Sequence, residues 1–396
     1  MNKTVKKQVP TGQELIEKIK SVFIRYRAFV KKRGEGILKY DYLVPGGPSY
    51  PEQWDWDGFY TGVALAADIP SEAIFLRNWA LNYIINAKKD GKIAGTLTPK
   101  GWDTRIHQMK PFLAQGAYLS SKFLNDYSWI KHHWNKFLKI VTYRERNFWN
   151  KKYDLGFWFN HMESGADNNV ALILYPEKSV IATDLNTFVC REYKAVSLLA
   201  EILNKKKEAE HFGKRAGQIK KNINKYLWDD KSEMYCNVYI KTGEFIKRVN
   251  YSTFVPLFGR IASQKQAAAT IKRYMLSDKY LNTPYGLTSL AKNDPSYNNI
   301  NFIKPYSNWQ GPIWPNVNYV YMQGMLNYGF TKEAMELSKK ISNLLLKDIA
   351  AGEGPHENYD AETGKPMAAP HMVGWNLLVA NMIEEVINQR NPFDII

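Results

Sequence analysis

Apolar residues recur at three-to-four spacing along almost the whole chain, while strict strand-type alternation is scarce. That periodicity admits few folds for 396 residues: many helices, each with an apolar face to bury. It predicts helices over 12–33, 57–67, 71–88, 109–125, 127–149, 184–204, 206–227, 252–260, 263–276, 315–328, 331–349 and 371–389. Some open on capping residues, such as Thr11 with Glu14 three residues on, and Asp184 as N-cap of DLNTFVCREYKAVSLLAEIL. One strand pair is expected at 234–249, where EMYCNVYIKTGEFIKRV carries a Thr-Gly turn between alternating runs.

Twelve helices in order make six consecutive pairs, the requirement of an all-α (α/α)6 toroid: six helical hairpins in an inner and an outer ring. The connections are unequal. Long ones fall at 34–56, 89–108, 150–183, 277–314 and 350–370, and gathered on one face of a rigid scaffold they would build a site. No Pro/Ser/Gly-rich linker divides the chain and no sequence period repeats, so residues 12–396 are expected to form one catalytic domain behind a flexible N-terminus, 1–11.

The net charge is +16, carried mainly by lysines interleaved with Glu and Asp on helical stretches. Solvated helix faces account for that pattern, and no nucleic-acid motif accompanies it. Cys190 and Cys236 are the two cysteines, too few for a disulfide framework or a four-ligand zinc site, and are expected to be buried thiols. His107, His161, His356 and His371 are too scattered for a metal site, so neither metal nor cofactor is expected. The basic N-terminus lacks a signal-type apolar run and no run of about 18 apolar residues occurs, which points to a cytoplasmic protein without a membrane partner.

The long loops hold the unusual chemistry: PGGPSYPEQWDWDGFY with Trp54, Trp56 and Asp57, GFWFNHMESGADNN with Trp158, Glu163 and Asp167, NWQGPIWPNVNY with Trp309 and Trp314, and GPHENYDAETGKPMAAPHMVGW with Glu357 and Trp375. Aromatics beside carboxylates and amides suit a carbohydrate, which offers apolar C–H faces for stacking and hydroxyls for hydrogen bonds. Each segment also has a plainer reading. Trp54 and Trp56 could be core anchors, Asp103 and Arg105 a surface ion pair, and Asp167 a turn aspartate, so residue chemistry alone leaves its role open.

Taken together, the segments resemble trehalases and glycoside hydrolase family 63. QWDWDGFY is similar to their WDS-type segment, HMESGADNN to ESG-x-D, DLNTFVCRE to DLN-x-F-x-x-E, NWQGPIWPNVNY to YWRGPVW-x-x-x-N, and HENYDAETG with its following Gly-Trp to the ENYDP-x-TG ending, all in family order. The resemblance implies an (α/α)6 catalytic domain and an inverting, exo-acting α-glycosidase. By carry-over Asp167 would be the general acid and Glu357 the general base, the two set about 6.5–9.5 Å apart so that a water fits between base and sugar. The acid would need a raised pKa, which Phe157 and Trp158 could supply by desolvation. Trp56 and Asp57 would grip the non-reducing sugar. Gln108, similar to a family glutamine, and Trp309, Gln310, Gly311 and Trp375 would line the same pocket. Trp54, Trp158, Glu163 and Trp314 complete the candidate substrate-binding set.

Gln310 departs from the Arg of many relatives, and Asn169-Val170 from the pair that often follows the acid; both bear on substrate choice. The chain's length is closest to the mannosylglycerate and glucosylglycerate hydrolase branch. The expected partner is therefore a small carbohydrate: glucosylglycerate, mannosylglycerate, trehalose or a short α-gluco-oligosaccharide. Two other classes stand beside it, a lyase on an anionic polysaccharide, which needs a Tyr/His/Arg cluster, and a non-catalytic carbohydrate-binding protein.

Overall fold

The structure, a computed structural model, describes residues 12–46, 49–104, 107–301 and 307–395. Thr11, Arg105 and the segment 1–11 lie outside these residues, and with them the Thr11 cap and the Asp103–Arg105 pair. The helices run α1 Gly12–Tyr26, α2 Asp55–Asp68, α3 Ala73–Asn86, α4 Leu113–Leu124, α5 Ser128–Val141, α6 Tyr143–Asn147, α7 Val170–Ile173, α8 Thr183–Ile202, α9 Lys206–Tyr226, α10 Tyr251–Phe258, α11 Gln264–Thr270, α12 Pro315–Asn327, α13 Thr331–Ala351 and α14 Met382–Ile387.

Their packing closes a ring. α2 packs on α4, α4 on α8, α8 on α10, α10 on α12, α12 on a 3-10 segment at Trp375–Ala380, and that segment back on α2. This circuit is the inner ring of an (α/α)6 toroid. The outer layer is α1, α3, α5, α9, α11 and α13, each next in sequence to an inner element. Burial follows the layers: α2 is buried from Asp55 through Ala67, whereas α9 buries only Phe212, Ala216, Ile219, Asn222 and Ile223, one stripe at helical spacing. One continuous apolar core takes in residues from Leu15 to Ile395.

Several predicted helices are shorter or broken, each for a local reason. The segment 109–125 becomes helical only at Leu113, because Pro111 disfavours helix at Lys110 and the Lys110 amide is drawn away to Asp55 Oδ2 at 2.7 Å. The segment 127–149 divides into α5 and α6 at Thr142, whose hydroxyl bonds back to the Leu138 carbonyl at 2.7 Å. The segment 263–276 passes from α11 into a π turn at Ile271–Met275, and 371–389 is the 3-10 segment followed by α14. At the start, 12–33 ends as a helix at Tyr26 and runs through a 3-10 turn into the strand Lys31–Lys32. Asp184 is not the N-cap of α8, since Ala182 holds that position, but sits in the first turn and accepts from the Leu185 amide at 2.7 Å.

The expected strand pair is present. Asn237–Tyr239 and Phe245–Ile246 pair antiparallel around the turn at Thr242-Gly243, with Val180–Ile181 on the far edge. A second small sheet, Gln53–Trp54, Thr96–Thr98 and Gly101–Asp103, fixes the chain entering α2. Both cysteines are free and buried. Among the described residues no helix is long and apolar enough to cross a membrane.

Candidate active site

Each inner element is entered through a connection, and five of the six connections meet at one cavity. The stretch before α2 supplies Pro45, Tyr50 and Trp54, and the first turn of α2 adds Trp56 and Asp57. Lys110 arrives before α4; Met162, Gly165 and Asp167 before α8; Ser307 and Trp314 before α12; Glu357 and Trp375 at the last inner element. Inner helix α2 therefore turns its N-terminus, the positive end of its dipole, to the cavity.

The walls are aromatic. Trp56 meets Tyr60, Tyr251, Trp309 and Trp375 edge-on, with ring centroids 5.8–6.1 Å apart. Trp309 lies flat on Trp314, centroids 4.0 Å apart and 19° between planes. Trp54 meets Tyr50 edge-on at 6.2 Å.

Three carboxyls face this volume. Asp167 Oδ2 accepts from the Ser307 hydroxyl at 3.1 Å, and both Glu357 oxygens lie 3.2 Å from the Tyr50 hydroxyl, which donates to them. Burial raises Asp167 to about 6, against the opposing pull of Ser307, Lys110 and His161. Burial, then the charges of Asp167 and Asp57, raise Glu357 to about 8. Asp57 is raised by burial to about 8, with Lys110 acting against the rise. Despite the chain's net charge of +16, the described lining holds three acids and one cation, Lys110. It lacks the Tyr/His/Arg cluster expected of a lyase.

The turn carrying Asp167 is tightly held. Glu163, wholly buried, accepts from the amides of Gln108 at 3.0 Å and Phe159 at 2.7 Å and pairs with Arg144 at 3.1 Å. Gly165 turns the chain at φ +82°, and a Cβ there would stand 3.0 Å from Lys110 Cε. His161 Nδ1 bonds the Asp167 carbonyl. Asn168 Oδ1 accepts from the Trp309 amide at 2.6 Å, the Gln310 side chain donates to the Asn168 carbonyl at 2.9 Å, and Asn169 caps α7. On the opposite wall, His356 contributes its amide and Nδ1 to Asp348, each at 3.0 Å, and Tyr359 adds its hydroxyl at 2.7 Å, which anchors the Glu357 loop to α13.

Of the expected residues, Trp54, Trp56, Asp57, Asp167, Trp314, Glu357 and Trp375 line the cavity together. The others stand behind its wall. Gln108 is buried with its side-chain oxygen on the Ile93 amide at 3.1 Å, and Trp158 donates to Asp184 at 3.2 Å. Glu163 braces the turn, Trp309 backs Trp314, and Gln310 and Gly311 hold the neighbouring loop against Asn168 and Asn298. Phe157 and Trp158 are not among the lining residues, whereas Trp54, Trp56, Trp314 and Trp375 line the cavity together with Asp167. Tyr50, Lys110 and Ser307 were not singled out in the sequence, although SYPEQWDWD, HQMKP and YSNWQGP each border a named residue.

Residues 50–372, most of the chain, match the mannosylglycerate hydrolase MGH1-like glycoside hydrolase domain. The chain belongs to the MGH1-like glycoside hydrolase family. A mannosylglycerate hydrolase of Rubrobacter radiotolerans is 29% identical over 180 residues, 45% of this chain and 38% of that protein. The mannosyl-oligosaccharide glucosidase of Saccharomyces cerevisiae is 22% identical over 63% of this chain and 31% of its own length. The chain thus spans well under half of the curated relatives it matches. Its fold is that of a GH63 mannosylglycerate hydrolase from Thermus thermophilus, solved with glucose, at TM-score 0.73 and 18% identity over 94% of this chain and 100% of the other. Neutral trehalase Nth1 of Saccharomyces cerevisiae has the same fold at TM-score 0.64, 15% identity, over 95% of this chain and 80% of that one.

Proposed function

We propose that the chain is an inverting, exo-acting α-glycosidase that hydrolyses a small α-linked glycoside, with Asp167 as general acid and Glu357 as general base. The observation that carries the reading is the pair itself: two carboxyls from separate loops, Glu357 buried and Asp167 part-buried, lining one tryptophan-walled cavity, each with a single side-chain partner among the described residues. A pyranose ring stacks its C–H faces on Trp54, Trp56, Trp314 or Trp375. Asp167 then protonates the glycosidic oxygen, while Glu357 takes a proton from the water that attacks the anomeric carbon from the opposite face. Tyr50 orients Glu357 through its hydroxyl. Mannosylglycerate, glucosylglycerate, trehalose and short α-gluco-oligosaccharides are the substrates in question.

One observation favours a second reading with the roles exchanged. In the sugar-free pocket Glu357, at about 8, holds its proton to higher pH than Asp167, at about 6, as an acid should. Leaving-group chemistry separates the two. A glycosyl fluoride needs little protonation to depart, so the variant lacking the acid keeps activity on it and the variant lacking the base does not. Asp167→Asn is expected to hydrolyse the α-fluoride of the accepted sugar while losing the natural glycoside. If Glu357→Gln is rescued instead, the roles are exchanged.

The reaction class is tested by proton NMR of the first-formed sugar from the substrate panel. Appearance of the β-anomer supports inversion. Retention, or no hydrolysis of any member of the panel, sinks the proposal.

A further inference from the structure

Lys110 stands in HQMKP, three residues before α4. Lysine is rarely buried, yet its side chain is 3% exposed and lines the cavity. Among the described residues its ammonium has one hydrogen-bond partner, Asp55 Oδ1 at 3.1 Å. Asp55 is already committed, accepting from the Trp56 amide at 2.6 Å through Oδ1 and from the Lys110 amide at 2.7 Å through Oδ2. An ammonium carries three donors, so two N–H groups of a buried cation have no acceptor among the described residues, and a buried donor left unmatched is costly.

What surrounds those two donors narrows the ligand. The Trp56 ring faces Nζ at 5.7 Å, Gly165 packs against Cε, and the Lys110 charge acts on both Asp57 and Asp167. The ammonium thus opens on the side where Trp56 gives an apolar face and Asp57 an acceptor with no side-chain donor among the described residues. A hydroxyl suits both, since its oxygen accepts from Lys110 and its proton is given to Asp57. A carboxylate would satisfy Lys110 but bring a fourth acid beside Asp57, Asp167 and Glu357.

We propose that Lys110 is a substrate-binding, specificity-determining residue: its two unmatched N–H groups donate to adjacent hydroxyl oxygens of an uncharged terminal hexose whose hydroxyl protons are accepted by Asp57. This rests on the reading that the cavity takes a sugar. It assigns the terminal hexose to the Lys110 side of the pocket, and it makes the configuration of one vicinal diol the property that the site reads.

The test compares the whole chain with Lys110→Met and Lys110→Arg. Binding of glucose, mannose and the 2-, 3-, 4- and 6-deoxyglucoses is measured by NMR titration, and hydrolysis of α-glucosyl and α-mannosyl fluoride in parallel. In the wild type, removal of one or two adjacent hydroxyls is expected to weaken binding about 10- to 100-fold, as for hydrogen bonds to a charged group. In Lys110→Met the same deletions should cost under about threefold, with the other positions unchanged, because the partner is already gone. Lys110→Arg, which keeps the charge but changes its geometry, should fall between them.

Equal deoxy penalties in wild type and variants overturn the proposal, as does a wild type that binds none of these sugars. If Lys110→Met does not fold, as read by circular dichroism, Lys110→Arg decides alone, and an unaltered penalty pattern in it overturns the idea. The fluorides keep the two readings apart. Hydrolysis with an unaltered deoxy pattern removes Lys110 alone, whereas a shifted pattern without hydrolysis upholds Lys110 and removes the glycosidase reading.

Discussion

The acids beneath the loops are buried, as are Asp57 and Glu357 on the pocket face, where Asp167 is part-buried, but their surroundings differ. Glu163 is met by two amides and Arg144; Glu192 accepts from the amides of Ala114 and Gln115 at the start of α4; Glu385 accepts from Tyr319 and Gln323, both at 2.7 Å. Four residues beyond Glu163, Asp167 has among the described residues only Ser307 for a hydrogen-bond partner, and Glu357 only Tyr50. A raised pKa does not separate the two regions, because burial lifts Glu192 to about 8 and Glu385 to about 7 as surely as it lifts Glu357 to about 8. Open volume separates them. An acid whose acceptor sites are filled by the protein is structure; one that faces a cavity with sites to spare is available to a ligand.

The sharpest way to break that contrast is to neutralise one acid of each kind. Asp167→Asn should lower kcat/KM on the natural glycoside by about 10²–10⁴-fold, the usual worth of a positioned acid, while circular dichroism and thermal unfolding show an intact fold. Glu163→Gln should do the reverse at the level of stability. It leaves the Arg144 guanidinium buried without its counter-charge, at a cost of about 3–5 kcal/mol in denaturant unfolding. If Asp167→Asn unfolds as readily as Glu163→Gln, the pocket acid is structural and the contrast fails.

Gly165 joins the two regions. Gly165→Ala imposes a side chain at positive φ and presses on Lys110, so a loss of about 1–3 kcal/mol is expected, with KM rising as Lys110 shifts. An unchanged KM would detach the turn from the sugar site.

The smallest effect is graded with pH. Asp57, Glu357 and Glu192 have folded pKa values near 8, above the roughly 4 of an unfolded carboxyl. The folded state therefore binds more protons than the unfolded one between those limits. Stability is greatest below about pH 4 on this account and falls as pH rises to about 8, by at most about 1.4 kcal/mol per pH unit for each group. Glu192→Gln should flatten that slope and leave the pH–rate profile in place, whereas Asp57→Asn should alter both.

Much of this was legible in the sequence because helical periodicity is a property of long segments. α2, α8, α9, α12 and α13 lie within a few residues of their predicted spans, and the long connections were found where the cavity gathers them. Depth within a loop was not legible. Trp309 and Trp314 are five residues apart in one segment, yet only Trp314 faces the cavity and Trp309 stacks behind it. Gln108 and Lys110 show the same limit in reverse: the amide expected in the pocket is turned to a backbone N–H, and the lysine, of a type usually solvated, is the one buried at the cavity face. Which neighbour points inward is decided by partners distant in the chain, such as Asp55 for Lys110, and periodicity within a loop carries no record of them.

The closing contact of the inner ring joins α2 to the segment Trp375–Ala380, and Tyr50 reaches Glu357 across 307 residues of sequence. A chain made from its N-terminus therefore exposes Trp56, Asp57, Lys110 and Asp167 long before Glu357 has been synthesised. Early and late segments line the same cavity, so an unfinished chain has only part of its wall. The cavity lining is assembled only when the last inner element docks on α2, so ligand binding by this cavity reports on ring closure.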